Sequence, residues 1–484
     1  MNYKMMGRIA SWILSIEAAF MLPALMISAF SGEAQAAWAL GISAAVTMAV
    51  AGVLALLCRK ARTGLLAREG LVCVGLSWIL MSLFGCLPFY LSREIPSFID
   101  ALFEIVSGFT TTGASILTDV EALSNGLLYW RSFSHWLGGM GVLVFLLAVL
   151  PGSGRAGGYS MHLLRAESPG PNVGKLVPKM KQTAMILYVL YILLTVVNVI
   201  FLLAGDMPLF DAVCTAFGTA GTGGFGIKNS SMADYSPYIQ NVCTVFMFLF
   251  GVNFNIYYMM VMRRFMSIKR DDELKLYVGM ALISTVLIAI NIRSMYSNWS
   301  DTIRHSAFQV SSIMTTTGFA TTDFDLWPSF SKSILLCLMI VGASAGSTGG
   351  GIKCSRVLLL FRLLRRSISQ VLHPQNVQVI RAGGHSVEEK VLERTYAYLA
   401  AYVMIILMSF VLISLDGFSL MANFSAVLAC FNNIGPGLEA VGPVCNYSGF
   451  SVLSKLVLIF DMLAGRLEIF PILLLLTRRT WRKW

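Results

Sequence analysis

Charge is scarce in this chain. Only 13% of its 484 residues are Asp, Glu, Lys or Arg, against about a quarter in soluble domains. With 56% hydrophobic residues and a mean hydropathy of +0.72, that scarcity excludes an ordinary soluble fold and assigns the chain to a lipid bilayer. The nine cysteines include no Cys-x-x-Cys pair, so neither a zinc site nor a disulfide framework is indicated. No dinucleotide fingerprint occurs, and no His/Asp/Glu cluster or activated Ser or Cys lies near a membrane surface, which sets an enzyme aside. The first apolar run has no small-residue cleavage site after it, so residues 8–30 read as a retained helix. The net charge of +11 does not point to nucleic acid, because the positive residues are parcelled into gaps between apolar runs.

Apolar runs are what the chain has in abundance. Stretches long enough to cross about 30 Å of hydrocarbon lie near 8–30, 36–58, 70–92, 127–150, 183–204, 238–262, 274–293, 331–361, 395–415 and 450–477. Four shorter apolar stretches, near 98–111, 208–221, 302–316 and 420–433, cannot span and read as re-entrant segments. Lys and Arg cluster in alternate gaps: Arg59 to Arg68, Arg155 to Lys181, Arg263 to Arg270, Lys353 to Arg394, and the tail from Arg478 to Lys483. Acidic residues such as Glu33, Asp119, Asp206, Asp301 and Glu439 occupy the others. Positive charge marks the cytoplasmic side, so ten spans leave both termini cytoplasmic, and all four re-entrant segments enter from outside.

Each short stretch ends in nearly the same phrase: Thr110-Thr111-Thr112-Gly113, Gly221-Thr222-Gly223-Gly224, Thr315-Thr316-Thr317-Gly318 and Asn432-Asn433-Ile434-Gly435. Aligned on Gly113, Gly223, Gly318 and Gly435, the copies stand 110, 95 and 117 residues apart. A dehydrated cation needs a cage of backbone carbonyls in place of its water, glycine permits the left-handed backbone that aims them inward, and threonine adds a hydroxyl. A helix C-terminus pointing at the turn favours positive charge there. A single Thr-Gly turn would be a helix cap; four in register after helices too short to span read as a cation pore. The expected fold is an all-α integral membrane protein of four pseudo-symmetric helix–pore-loop–helix repeats around a central pore, with an extra N-terminal helix pair. The expected boundaries are 1–69 for that pair, 70–150 for the first repeat, 151–262 for a linker and the second, 263–361 for the third and 362–484 for a linker and the fourth.

Two features lie inside the expected spans. Residues 342–353, Gly-Ala-Ser-Ala-Gly-Ser-Thr-Gly-Gly-Gly-Ile-Lys, cannot form an undistorted helix. Gly-Ile-Lys-Cys is not the ending of a phosphate-binding loop, which leaves a closely packed helix break or a mobile loop beneath the turns, with Gly346, Gly349, Gly350, Gly351 and Lys353 as its key residues. The last span carries Asp461, Arg466 and Glu468. Arg466 reads either as an ion-pair partner of Asp461 or Glu468 or as a pore cation that repels its own kind. The glycines Gly138, Gly139, Gly141 and Gly251 read as helix-packing contacts rather than hinges, and His135 as a packing residue.

On these turns, TTGA, TGGF, TTGF and NIGPG, and on the extra helix pair, the chain resembles the TrkH subunits of the Trk/Ktr/HKT superfamily of potassium transporters over essentially its whole length. The resemblance implies K⁺ as the transported ion, with Thr111, Thr112, Gly113, Thr222, Gly223, Thr316, Thr317, Gly318, Asn433, Ile434 and Gly435 as the selectivity filter. It implies an intramembrane gating loop in the third repeat and a pore arginine in the last helix. Serine at the first glycine accompanies sodium permeation in that superfamily, so glycine at all four positions favours potassium. The fourth turn departs from the pattern by having no threonine, which predicts an asymmetric filter. The resemblance further implies a homodimer in a bacterial inner membrane, seated on cytosolic nucleotide-binding TrkA-type regulatory subunits, with no nucleotide bound by this chain itself. The basic segments 151–181 and 362–393, including Arg362, Arg365 and Arg366, are either the contact surface for that partner or ordinary positive-inside charge. The competing reading is a Na⁺-permeable or ion-coupled secondary transporter that uses the same loops as a binding site.

Overall fold

Helix follows apolarity along almost the whole chain. The computed structural model describes residues 1–59, 66–141, 180–375, 378–382 and 385–481. The architecture is all-α as expected; among the described residues the only strand pairing is a two-residue ladder, Arg381–Ala382 against His385–Ser386. The segment 151–179, expected as a docking surface, lies outside the described residues.

The N-terminal pair, Tyr3–Phe30 and Ala34–Leu57, packs on itself, and its first helix also packs on the outer and inner helices of the first repeat. The four repeats then come in chain order. Their outer helices are Ala67–Gly85, Met180–Leu203, Asp272–Asn291 and Glu389–Ile413. Their pore helices are Phe98–Phe109, Leu209–Gly221, Trp299–Met314 and Leu420–Phe431. Their inner helices are Asn125–Gly139, Pro237–Phe250, Ser329–Val341 and Val452–Arg466. Local chemistry starts them: Ser97, Ser236, Asp271, Ser419 and Ser451 each cap a helix by accepting a backbone N–H, and Pro237 occupies a first turn where its missing N–H has no consequence.

Among the described residues six helices, the N-terminal pair and the four outer ones, are long and apolar enough to cross a membrane, with the bent second inner helix a seventh if taken as one span. The inner helices differ from expectation. The spans expected as continuous over 238–262 and 450–477 are both broken. The second inner helix bends by 89° between Phe250 and Phe254, so Gly251 sits at a bend rather than inside a packed helix. The fourth stops at Arg466 and resumes as Phe470–Leu476, through left-handed Glu468 and Ile469. The third stops at Val341 and resumes as Cys354–Leu372, as the glycine run predicts. The first ends at Gly139, and residues 142–150 of the expected 127–150 span are outside the described residues. These breaks occur where inner helices meet pore-helix ends. A Cβ on Gly138 would strike the Phe109 carbonyl, one on Gly465 the Phe431 carbonyl, and one on Gly251 the side chain of Thr315 as well as the Tyr277 hydroxyl of the third outer helix.

The packing order closes a circle. Each inner helix lies against the pore helix of the next repeat: the first on the second, the second on the third, the third on the fourth, and the fourth back on the first.

Candidate functional site

All four pore helices end in one backbone motif. Thr111, Thr222, Thr316 and Asn433 take left-handed φ values of 56°, 54°, 59° and 57°. The next N–H, of Thr112, Gly223, Thr317 and Ile434, reaches back five residues to Ser107, Gly218, Ser312 and Ala429, at 2.8 to 2.9 Å. This is a Schellman cap, and its left-handed position is ordinarily glycine. Threonine or asparagine there costs about 1 kcal/mol, and the side chain is used each time. Thr111 and Thr222 donate to the preceding carbonyl at 2.7 and 2.6 Å. Thr316 Oγ1 accepts the Gly350 N–H at 2.6 Å. Asn433 Nδ2 donates to Thr112 Oγ1 at 3.0 Å and to the Met462 carbonyl at 2.9 Å.

The motif corrects the register of the second turn. The residue equivalent to Gly113, Gly318 and Gly435 is Gly224, not Gly223: these four carry left-handed φ of 81°, 88°, 92° and 75° for Gly113, Gly318, Gly435 and Gly224 respectively. Gly223 takes the place of Thr112, Thr317 and Ile434. It is glycine because the His135 ring occupies the space its side chain would need.

The equivalent glycines and carbonyls form a closed ring. A Cβ on Gly113 would strike the carbonyl oxygen of Gly223, one on Gly224 that of Thr317, and one on Gly318 that of Ile434; one on Gly435 would come within 2.7 Å of the Thr112 oxygen. Four carbonyls from four repeats thus form a closed circuit, each held against the glycine of its neighbour. Threonine hydroxyls brace two opposite turns, Thr110 to Thr112 at 2.8 Å and Thr315 to Thr317 at 2.7 Å. The second turn has Gly221 and Gly223 at these positions and the fourth Asn432 and Ile434, so the asymmetry expected of the fourth turn is shared by the second. The site has two-fold rather than four-fold character.

Residues 342–353 lie directly against the ring. Besides the Gly350 bond to Thr316, a Cβ on Gly350 would strike the Asn432 carbonyl and one on Gly349 would meet the Thr315 carbonyl. Gly342, Gly346, Gly351 and Lys353 have positive φ, which folds the segment back on itself. Lys353, buried, donates through Nζ to the Gly349 carbonyl. The Gly346 carbonyl accepts the Phe254 N–H at 3.1 Å, and Ser344 donates to the Gly251 carbonyl at 3.1 Å, so the loop is stitched to the bend of the second inner helix. Glu273 accepts the Ala345 N–H at 2.6 Å.

Arg466 reaches across this space. Nη1 donates to the Thr348 carbonyl at 2.8 Å and Nη2 to the Gly139 carbonyl at 2.6 Å, with Gly138 also in reach. One side chain of the fourth repeat thereby ties the third repeat's loop to the end of the first inner helix. Of its two expected ion-pair partners, Glu468 pairs with Arg356, and Asp461 accepts from Ser409 Oγ at 2.7 Å.

Sequence reasoning left three residues of this site without a role. Glu104 on the first pore helix and Arg131 on the first inner helix form a buried ion pair at 2.6 Å, and His135 lies one turn beyond Arg131. A signal existed for two of them, because a carboxylate and a guanidinium inside apolar stretches demand partners. In the segment that follows the first turn, hydrogen bonding from the Asn229 amide holds the Asp119 carboxylate below its ordinary range.

One chain folded into four re-entrant turns around a common axis, inside a shell of membrane-length helices, defines a membrane transport protein of the pore-loop class. The chain belongs to the TrkH family of cation transport proteins, whose model matches residues 39–481; that family comprises transporters rather than enzymes. The chain is 36% identical over 445 residues to the Trk system potassium uptake protein TrkH of Salmonella typhimurium, covering 90% of this chain and 91% of that protein. It is 32% identical over 480 residues to the potassium uptake protein TrkG of Escherichia coli, covering 97% and 96%. The crystal structure of the potassium transporter TrkH from Vibrio parahaemolyticus superposes with a TM-score of 0.88 at 30% identity, covering all of both chains.

Proposed function

We propose that this chain takes up potassium across a bacterial inner membrane, through a selectivity filter made by the four turns, with both termini in the cytoplasm. The observation that carries the reading is the closed ring in which the carbonyls of Thr112, Gly223, Thr317 and Ile434 abut the glycines of neighbouring repeats. Such a ring can replace the water of a dehydrated monovalent cation, and K⁺ is its cargo. The names of the relatives, potassium uptake proteins, support the choice of ion. The filter then comprises Thr111, Thr112, Gly113, Thr222, Gly223, Thr316, Thr317, Gly318, Asn433, Ile434 and Gly435, to which the corrected register adds Gly224.

The gate in this reading is the 342–353 loop together with Arg466. The loop hydrogen-bonds the filter residue Thr316, and the arginine places positive charge below the ring, where it opposes cation entry. Opening requires the loop to leave Thr316 and Arg466 to release Thr348, Gly138 and Gly139. The five-part division of the chain, from the helix pair 1–69 to the repeat ending at 484, is kept as its functional organisation. In keeping with the family resemblance, the working unit is a homodimer seated on cytosolic nucleotide-binding TrkA-type subunits, which supply any nucleotide control.

The test is Rb⁺ uptake into K⁺-loaded liposomes that contain the purified chain alone, with external K⁺ or Na⁺ as competitor. Uptake blocked by K⁺ and spared by Na⁺ is the expected result. Uptake blocked equally by Na⁺ would favour the alternative of a Na⁺-permeable or ion-coupled transporter. Absence of uptake from folded protein, persisting after addition of a TrkA-type subunit, would overturn the reading.

A further inference from the structure

The walls of the ring are not held alike behind the filter. The third and fourth turns are tied by neutral groups: Ser312 Oγ donates to the Phe319 carbonyl at 2.6 Å and the Ala320 N–H to Ser231 Oγ at 3.2 Å, and Tyr447 Oη donates to the Gly435 carbonyl at 2.7 Å. Between the first and second turns the tie is ionic.

Two side chains one helical turn apart on the first inner helix, Arg131 and His135, face two positions one turn apart on the first pore helix, Glu104 and Gly108. Arg131 Nε donates to Glu104 at 2.6 Å, and His135 Nδ1 lies 2.7 Å from the Gly108 carbonyl. Both then grip the chain leaving the second turn. Arg131 Nη1 donates to the Gly226 carbonyl at 2.8 Å, its guanidinium lies 3.5 Å from the Phe225 ring centroid, and His135 Nε2 accepts the Phe225 N–H at 3.2 Å. Glu104 meanwhile holds the chain leaving the first turn, accepting the Ile116 N–H at 2.9 Å and the Ser115 hydroxyl at 2.9 Å. A carbonyl can only accept and an amide can only donate, so His135 is the neutral tautomer with its proton on Nδ1. Its ring also excludes any side chain at Gly223, whose carbonyl belongs to the ring.

We infer that Glu104, Arg131 and His135 form a clamp that fixes the first and second turns at one height and so sets how well this wall discriminates K⁺ from Na⁺. They are positioning residues, since none contributes a ring carbonyl. Coordination by carbonyls distinguishes ions by the number and placement of oxygens, and a turn free to shift accommodates the smaller ion. The guanidinium fork is needed because it satisfies a carboxylate and a carbonyl of different repeats at once. The inference rests on the filter reading proposed above.

The experiment is liposome flux on the full chain, measuring the K⁺/Na⁺ permeability ratio and the half-saturating K⁺ concentration separately from maximal flux. Wild type is compared with Arg131→Lys, Arg131→Met, His135→Phe and the double variant Glu104→Gln/Arg131→Met. The expected result is a ratio reduced about tenfold in R131M, a smaller reduction in H135F, and partial recovery in R131K. If R131M does not fold, H135F and the double variant, which leaves no unpaired charge buried, decide the matter. Folded H135F and R131M or the double variant with the wild-type ratio and half-saturation, even at altered maximal flux, would overturn the clamp. A wild-type chain without K⁺-selective flux would instead remove the filter reading on which the clamp depends, so the two failures are distinguishable.

Discussion

The backbone N–H of Gly350 donates to Thr316 Oγ1 at 2.6 Å, so the 342–353 loop shares a hydrogen bond with the third turn, one residue before its ring carbonyl. Any movement of 342–353 away from the axis must break it. Thr316→Val keeps the shape and removes the acceptor. A neutral hydrogen bond contributes about 1 kcal/mol net, so resting Rb⁺ flux through T316V should rise about fivefold, while Thr316→Ser stays near wild type. Unchanged flux in folded T316V would mean that other contacts set the loop's position.

Arg466 carries three carbonyl contacts to two other repeats. Hydrogen bonds from a charged donor contribute about 1.5–3 kcal/mol each, so Arg466→Ala should raise resting flux by at least about tenfold. Arg466→Lys should keep part of the block, because a point charge remains but cannot fork to both walls. Trimming residues 346–351 should act in the same direction. Liposome flux reads all three, and wild-type flux in folded R466A would eliminate the arginine from the gate.

The corrected register separates two adjacent glycines. Gly113→Ser and Gly224→Ser each push a side chain at the carbonyl ring and should raise Na⁺ relative to K⁺ permeability by about tenfold. Gly223→Ala drives its methyl into the His135 ring instead. Overpacking of that kind costs about 1–3 kcal/mol, which a thermal melt in detergent would report, and His135→Ala in the same chain should return part of the loss. A stable G223A protein would contradict the assignment of the two glycines.

Arg356, just after the 342–353 loop, pairs with Glu468 at the break of the fourth inner helix and lies 4.0 Å from the Tyr398 ring centroid. Replacing one partner of a largely buried pair leaves the other charge uncompensated, at about 3 kcal/mol. Glu468→Gln should therefore lower the melting midpoint clearly, and the double variant Glu468→Gln/Arg356→Met by less. Equal losses in both would show that the pair does not act as a unit.

Much of this arrangement was readable in the sequence, because lipid forces apolar runs to declare their length. The pore helices expected near 98–111 and 420–433 are observed over 98–109 and 420–431, and the glycine run marked the third break. The breaks near Gly251 and Glu468 escaped notice because long apolar runs lie on both sides of the short interruptions Gly251-Val252-Asn253 and Arg466-Leu467-Glu468, and what bends the chain there is tertiary packing against pore-helix ends. The second turn misregistered because Gly223 and Gly224 offer two equal choices in one dimension; the ring of His135, 88 residues earlier in the chain than Gly223, decides between them. Glu104 and Arg131 were visible as charges out of place, but nothing in their spacing said that they meet.

The closed circle of inner helix on next pore helix is written in a single polypeptide. In a channel assembled from identical subunits, one codon change alters every wall together, and selection sees only the four-fold effect. Here each wall has its own codons. A change at Ile434 or Gly221 alters one quadrant and leaves three as they were, so the four walls can be changed one at a time, as the two-fold alternation of braced and unbraced turns already shows.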